Sequence, residues 1–170
     1  MRDSERNQAT PDEATEETVG RLLAERGLTI ACAESCTGGL LTGRLTDIPG
    51  SSAYVKGAVV SYTDEVKAGV LGVRQSTLDA HTAVSEPVAR EMAEGVRRLL
   101  HTDIGVSVTG LAGPAGAPGQ PVGLVYIGVA TPDGTTVGEN RFGGDRAAVR
   151  RQACQRALAM VLHALFRRPC

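Results

Sequence analysis

The sequence GSSAYVKGAVVSYTDEVK, residues 50–67, combines a turn, a strand and the start of a helix in one short stretch. Small residues and two serine hydroxyls predict a turn at its beginning, and the apolar, β-branched segment 58–61 predicts a short buried strand. Thr63 is typical of a helix N-cap, with Asp64 and Glu65 in the first helical turn. The stretch therefore places a serine, a tyrosine and a lysine at the two ends of one strand-and-turn unit, where a twisted sheet could fold them together.

The segments on either side of this stretch alternate between helical and strand patterns. Apolar spacing and capping residues predict helices over 16–26, 40–46, 64–71, 85–100 and 145–165, with a further helical turn over 76–80. Apolar, largely β-branched runs predict strands over 28–32, 104–109, 123–131 and 135–142. The last two strands are separated by Pro132-Asp133-Gly134, a turn sequence that predicts an antiparallel hairpin.

Length and composition are those of an ordinary globular protein. A chain of 170 residues with 42% hydrophobic and 22% charged residues is expected to form one domain. Residues 1–15 are polar and lack periodicity, which predicts a disordered tail before a single domain over 16–170. The formal net charge of −1 argues against a dedicated polyanion binder. Because we find neither a signal-peptide pattern nor a long apolar run, we expect a cytoplasmic protein with reduced thiols.

Metal and cofactor sites are not indicated by the sequence. The four cysteines, at positions 32, 36, 154 and 170, lack the spacing of zinc ligands. The three histidines are scattered along the chain and show no ligand pattern. We therefore expect chemistry that uses no metal and no cofactor.

Two other segments carry patterns that suit an anion. Residues 33–39 form a small polar loop between a predicted strand and a predicted helix, which is a common way to hold an anion, although a capped turn tightened by glycines has the same pattern. Arg146, Arg150 and Arg151 lie in the first turns of the last predicted helix, where cations oppose the helix dipole. Either a bound anion or acidic residues elsewhere in the fold would neutralise them.

A serine and a lysine provide the candidate catalytic pair. A serine hydroxyl becomes a good nucleophile when a nearby base takes its proton, and a lysine with a lowered pKa can be that base. Lys67 is the candidate base, and Tyr62 could relay the proton or hold the amine. The spacing leaves the nucleophile open, since Ser35, Ser51 and Ser52 all lie in turns of small residues.

A series of motifs in a fixed order resembles the CinA C-terminal domain family, whose characterised activity is that of nicotinamide-nucleotide amidase. The motifs are AESCTGG (33–39), GSSAY (50–54), VSYTDEVK (60–67), AVSEP (83–87), TGLAGP (109–114), PVG (121–123) and GDR (144–146). The resemblance covers residues 16–166 and implies a three-layer α/β/α sandwich with a mixed sheet. It also implies hydrolysis of nicotinamide mononucleotide to nicotinate mononucleotide and ammonia, without a metal. Longer members of the family carry an additional N-terminal domain, so this chain resembles the stand-alone form.

The resemblance also implies roles for particular residues. Carried over by motif, the nucleophile falls on Ser52, the general base on Lys67 and the partner of that base on Tyr62. The substrate-binding positions are Ser35, Thr37, Gly38, Gly39, Thr109, Gly110, Gly113 and Arg146. The implied ligand is a small nucleotide, and no nucleic acid or membrane is expected as a partner.

Two other functions compete with the amidase. A catalytically silent nucleotide-binding or regulatory module would keep the pocket and lack turnover. A nucleic-acid-binding module would use the arginine-rich last helix, but the chain lacks stacking aromatics and a positive net charge. A homodimer is expected whichever function holds, because the antiparallel edge strand of the predicted sheet would otherwise be left unpaired.

Overall fold

The computed structural model describes residues 15–167. Six helices and five strands follow the order predicted from the sequence. The helices are α1 (Glu16–Glu25), α2 (Leu40–Thr46), α3 (Asp64–Gly69), α4 (Gln75–His81), α5 (Glu86–Leu99) and α6 (Arg146–Arg167). The strands are β1 (Ile30–Glu34), β2 (Val55–Val60), β3 (Ile104–Gly110), β4 (Leu124–Thr131) and β5 (Gly134–Arg141).

Side chains cap the beginnings of two helices, α1 and α6. The Thr15 hydroxyl accepts a hydrogen bond from Thr18 N and caps α1, while the rest of the predicted tail, residues 1–14, lies outside the described residues. The Asp145 carboxylate accepts from Ala148 N and caps α6, as predicted. Ser85 has an extended backbone before α5, and Pro87 lies in the first turn, where a missing N–H costs no hydrogen bond.

The five strands form one mixed sheet in the order β2-β1-β3-β4-β5. Strand β1 pairs in parallel with both β2 and β3, whereas the pairs β3–β4 and β4–β5 are antiparallel. The predicted hairpin of β4 and β5 is therefore confirmed. Because β1, β2 and β3 run in the same direction, their carboxyl ends lie at one edge of the sheet.

Helices cover both faces of the sheet and give the three layers that the resemblance implied. One hydrophobic core joins α1, α2 and α6 to one face, and a smaller core joins α4 and α5 to the other face. Strand β3 is buried along nearly its whole length between these layers. Within the described residues, we find no helix with the length and apolar character needed to cross a membrane.

Two of the differences between the observed and the predicted strand boundaries matter for the site. Strand β1 continues to Glu34, so the residue that follows it directly is Ser35. Strand β2 begins at Val55, after a short 3₁₀ turn over Ser51–Ala53, whereas the apolar run had predicted a start at Ala58. The early start puts the two serines of that turn at the amino end of β2.

Candidate active site

A pocket of about 280 Å³ opens at the carboxyl ends of β1, β2 and β3. The turn after β1, the start of α3, the loop after β3 and the first turn of α6 form its walls. Its lining residues are Ser35, Cys36, Tyr62, Asp64, Lys67, Ala83, Val84, Thr109, Gly110, Leu111, Ala112, Gly113, Ala115 and Arg146. Seven of the eleven residues predicted for the site are in this set: Ser35, Tyr62, Lys67, Thr109, Gly110, Gly113 and Arg146.

Lys67 is buried beside a serine hydroxyl. Its side chain is 2% exposed, and its Nζ atom lies 3.3 Å from Ser35 Oγ and donates at 2.9 Å to the carbonyl oxygen of Ser61. Helix α3 begins shortly after β2, so its first turn carries the lysine back toward the carboxyl end of β1. The parallel pairing of β1 and β2 thus brings Ser35 and Lys67 together.

The surroundings of Lys67 favour a neutral amine. Burial lowers the pKa of Lys67 below the usual lysine value, because a charged ammonium loses hydration inside the protein. The nearby Asp64 carboxylate, 3.9 Å away, acts in the opposite direction, but it is 58% exposed and hence screened by solvent. The net lowering of the pKa is the property that a general base needs.

The prediction that Ser52 meets Lys67 is wrong. Ser52 is an exposed residue in the 3₁₀ turn before β2, whereas Lys67 follows the carboxyl end of that strand. A strand of six residues separates its two ends by about 20 Å, so both ends of β2 cannot reach one site. Ser51 lies in the same turn and is equally remote.

Tyr62 lines the pocket, and its hydroxyl is hydrogen-bonded to a residue other than Lys67. Its side chain is 58% exposed, and its hydroxyl accepts a hydrogen bond of 2.9 Å from Arg146 Nη2. The polar contacts of Lys67 Nζ are Ser35, Ser61 and Asp64 instead. The predicted role of Tyr62 as the partner of the base is therefore not supported, and its position is at the mouth of the pocket.

The turn over 35–39 contributes only its first two residues to the pocket lining. Thr37 is fully buried, and Gly38 and Gly39 lie outside the pocket. Both glycines have positive φ angles, +58° and +99°, which explains why this tight turn uses glycine. The side chain of Thr37 and both glycines therefore shape the turn and do not line the pocket, which leaves the backbone N–H of Thr37 as the group that could still contact a ligand.

The amino end of α2 is not available to an anion. Its N–H groups at Leu41 and Thr42 donate to the buried carboxylate of Glu34, at 2.9 and 3.0 Å. The preceding N–H, at Leu40, donates to the carbonyl oxygen of Thr37. Of the two alternatives for residues 33–39, the structure therefore favours the capped turn.

Two of the three arginines at the start of α6 bind carbonyl oxygens. Arg150 donates to the carbonyl oxygens of Cys36 and Thr37, and Arg146 donates to the carbonyl oxygen of Gly113 as well as to Tyr62. The partial negative charge of these oxygens therefore offsets the positive charge of Arg146 and Arg150, whereas Arg151 is exposed on the same helix. Neither a bound anion nor an acidic residue is needed to explain Arg150.

Sequence reasoning missed the backbone of the Ser35 turn. It had placed Asp64 in the same helical turn as Lys67, and the structure puts the Asp64 carboxylate 3.9 Å from Lys67 Nζ. Within the described residues, the N–H groups of Cys36 and Thr37 have no hydrogen-bond acceptor, although the neighbouring N–H groups of Gly38 and Leu40 do. Two free N–H groups directly after a serine are suited to stabilise an oxyanion.

Other nucleophiles and metal ligands are poorly represented around this pocket. Cys36 lines it, but burial raises the pKa of the thiol to about 11, which keeps the sulfur protonated near neutral pH. Among residues 15–167, no group of three or more histidine, cysteine or acidic side chains is placed to hold a metal ion. Ser35 and Lys67 are therefore the best candidates for a reactive nucleophile and its base in this pocket.

Comparisons with known proteins agree with this architecture. The model of the CinA C-terminal domain family matches residues 12–165. A CinA-like protein from Chlorobium limicola is 52% identical over 156 residues, which is 88% of this chain and 36% of the relative. A CinA-like protein from Syntrophus aciditrophicus is 51% identical over 155 residues, 90% of this chain and 37% of the relative. The chain thus spans less than two fifths of the length of these curated relatives.

Solved structures show the same fold. The crystal structure of a competence-damaged protein (CinA) superfamily protein from Klebsiella pneumoniae matches with a TM-score of 0.88 and 36% identity, covering 94% of this chain and 100% of that one. A competence/damage inducible protein from Agrobacterium tumefaciens matches with a TM-score of 0.82 and 39% identity, covering 89% and 95% of the two chains.

Proposed function

Because the chain belongs to the CinA C-terminal domain family, we propose that it is an amidohydrolase that acts through an acyl-enzyme on Ser35. The proposed substrate is nicotinamide mononucleotide, and the products are nicotinate mononucleotide and ammonia. The motifs implied that Ser52 is the nucleophile, and the proposal assigns this role to Ser35 instead. The general base remains Lys67.

One observation carries the proposal: a buried lysine amine lies 3.3 Å from the hydroxyl oxygen of Ser35 inside a pocket. Burial of the lysine lowers its pKa and so favours the neutral amine that can accept a proton. A surface lysine would stay protonated near neutral pH and could not act in this way.

Acylation begins when Ser35 Oγ attacks the carboxamide carbon and its proton passes to Lys67 Nζ. The carbonyl π electrons move onto oxygen and form a tetrahedral oxyanion. The free N–H groups of Cys36 and Thr37 are the candidate donors to that oxyanion. The C–N bond then breaks, the Lys67 ammonium gives its proton to the departing nitrogen, and ammonia leaves an ester on Ser35.

Deacylation repeats the same chemistry with water as the nucleophile. Lys67 takes a proton from the water, the resulting hydroxide attacks the ester carbon, and the C–O bond to Ser35 breaks. The proton held by Lys67 returns to Ser35 Oγ. The carboxylic acid formed loses its proton to solvent and leaves as nicotinate mononucleotide, and the starting protonation state of the enzyme is restored.

Arg146 is the candidate contact for the phosphate of the substrate. Among the lining residues of the pocket it carries the only guanidinium, which can bind a phosphate through two parallel hydrogen bonds. It donates to Tyr62 and Gly113 at the pocket mouth, so it is exposed enough to exchange these partners for a ligand. Thr109, Gly110 and Gly113 would then contact the ribose or the ring.

The decisive experiment compares three variants for ammonia and nicotinate mononucleotide formation. We expect Ser35→Ala and Lys67→Met to lower kcat by at least roughly 10³-fold, because each removes a group that reacts directly. Ser52→Ala serves as the matched control and should keep kcat within about 2-fold, since Ser52 is exposed and remote. Loss of activity in Ser52→Ala with retention in Ser35→Ala would reverse the assignment.

The unmodified protein and the same product assay also distinguish the amidase from a catalytically silent module. It predicts that nicotinamide mononucleotide raises the Tm of the unmodified protein while neither product forms at any pH from 7 to 9. The amidase predicts product formation in that range. Purified protein that binds the nucleotide without turnover would therefore replace the amidase with the silent module.

A further inference from the structure

We propose that Glu34 and Arg150 are positioning residues that hold the turn over 35–39 from two sides and so fix Ser35 for attack. This inference rests on the proposed function of Ser35. Neither side chain is in the pocket lining, and each would act through the backbone of the turn.

The turn needs external support because of its composition. Gly38 and Gly39 follow the nucleophile closely, and both have positive φ angles. Glycine has the widest conformational freedom of any residue, so a Gly-Gly turn has little rigidity of its own. The position of Ser35 and of the adjacent N–H groups must therefore be set by contacts from outside the turn.

Glu34 supplies the contact on the α2 side. Its carboxylate is fully buried and accepts three hydrogen bonds: Leu41 N at 2.9 Å, Thr42 N at 3.0 Å and Thr42 Oγ1 at 2.6 Å. Because Glu34 ends β1 and directly precedes Ser35, these bonds join the strand to the first turn of α2 across the intervening loop. Both ends of the turn are then held at a fixed separation.

Arg150 supplies the contact on the α6 side. Its guanidinium donates through Nε to the carbonyl oxygen of Cys36, at 3.1 Å, and through Nη2 to that of Thr37, at 2.9 Å. In a trans peptide the C=O and the following N–H point in opposite directions, so a fixed Cys36 carbonyl also fixes the Thr37 N–H. That N–H is one of the two candidate donors to the oxyanion.

The effect of Glu34 is expected to be geometric rather than electrostatic. The charged and polar groups that shift the pKa of Lys67 are Asp64 and Cys36, and Glu34 is not among them. Replacing the Glu34 carboxylate should therefore slow the reaction without moving the pH at which Lys67 becomes active. A misplacement of reacting groups by about 1 Å can lower a rate by roughly 10²-fold.

The test uses two variants and two matched controls elsewhere in the fold. Glu34→Gln keeps one acceptor oxygen and presents an NH₂ group to the remaining donors. Arg150→Gln removes the guanidinium that donates to the carbonyl oxygens of Cys36 and Thr37. The control for Glu34 is Asp103→Asn, since Asp103 accepts from the N–H and the hydroxyl of Thr29 at the amino end of β1. The control for Arg150 is Arg97→Gln, since Arg97 also donates to a backbone carbonyl, that of Asp103.

Four quantities are measured for each protein: kcat and KM for nicotinamide mononucleotide, the rate at which a serine-directed fluorophosphonate labels Ser35, and Tm. We expect Glu34→Gln and Arg150→Gln to lower kcat and the labelling rate by about 10- to 100-fold with KM changed by less than about 3-fold. The controls should lose a similar amount of Tm and keep kcat within about 2-fold. The pH midpoint of kcat should stay at its original value in Glu34→Gln.

The outcomes separate this inference from the proposed function. A fall in Tm without a fall in kcat or labelling, in both variants, would reduce the two residues to a structural role and overturn the inference alone. A shifted pH midpoint in Glu34→Gln would also overturn it. If the unmodified protein neither releases ammonia nor is labelled at Ser35, the proposed function fails and this inference fails with it. Should Glu34→Gln not fold, Thr42→Val removes one of the three donors, and a smaller fall in kcat at unchanged KM is expected.

Discussion

At the scale of single residues, the protonation of Lys67 sets the expected pH dependence of the proposed reaction. The neutral amine is the active form, and its fraction rises as pH rises through the pKa of Lys67. Because burial lowers that pKa, kcat should increase with pH and level off below the range in which an ordinary lysine titrates. The measurement is a profile of kcat against pH from 6 to 10.

Lys67→Arg is the control for this prediction. A guanidinium stays protonated across the whole range, so the variant should be inactive at every pH. A profile of the unmodified enzyme that is flat or that falls with pH would show that Lys67 is not the base. A change in Tm over the same range must be measured alongside, so that unfolding is not mistaken for titration.

At the scale of elements, helix α5 packs so closely on a neighbouring segment that a side chain at one of its glycines would destabilise the protein. A Cβ atom at Gly95 would overlap the carbonyl oxygen of Leu71, in the segment between α3 and α4. The carbonyl oxygen of Leu71 cannot move away without shifting the segment between α3 and α4. Gly95→Ala should therefore lower the free energy of unfolding by about 2 kcal/mol. Chemical denaturation followed by circular dichroism would measure it.

Gly43→Ala is the matched control within another helix. Gly43 lies in α2, and a Cβ atom there would meet nothing within 4 Å. Without a steric cost, alanine is the better helix residue, and the free energy of unfolding should rise by about 0.5–1 kcal/mol. Equal effects of the two substitutions would contradict the close contact between α5 and Leu71.

At the scale of the whole molecule, we expect no specific binding of nucleic acid. The net charge is −1, the chain has only three tyrosines, two phenylalanines and no tryptophan for base stacking, and Arg150 already donates to carbonyl oxygens of the protein itself. Phosphate binding by an arginine-rich helix needs free guanidinium groups on an exposed face. Fluorescence anisotropy with a labelled single-stranded oligonucleotide at 0.15 M salt should show no saturable binding. Saturable binding that weakens steeply with salt would contradict this.

The homodimer expected from the sequence stays a prediction. Strands β2 and β5 lie at the two edges of the sheet. Unpaired edges of this kind are usually covered or protected in stable proteins, which is the reason for the expectation. Strand β5, the antiparallel edge, carries an exposed pair of opposite charges, Glu139 and Arg141, and charged residues also protect an edge without a partner.

Most of the candidate site could be predicted from the sequence, because its residues lie where secondary-structure elements end. Lys67 was found from the helix start at Thr63, and Arg146 from the cap of the last helix. Ser35 was recognised as a residue in a turn after a strand, but its partner in space was not. The backbone N–H groups of Cys36 and Thr37 left no signal in the sequence, since free N–H groups depend on the conformation of the turn.

The sequence by itself determined the kind, order and approximate bounds of the helices and strands, because apolar periodicity and capping are local properties of the chain. It also determined the family, through motifs spread over the whole domain. Only the tertiary structure decided which serine meets Lys67. That choice depends on the parallel pairing of β1 with β2, which places the carboxyl ends of two separate strands together and the amino end of β2, with Ser52, at the opposite edge. Strand pairing joins residues distant in sequence, so no local pattern around Ser35 or Ser52 records it.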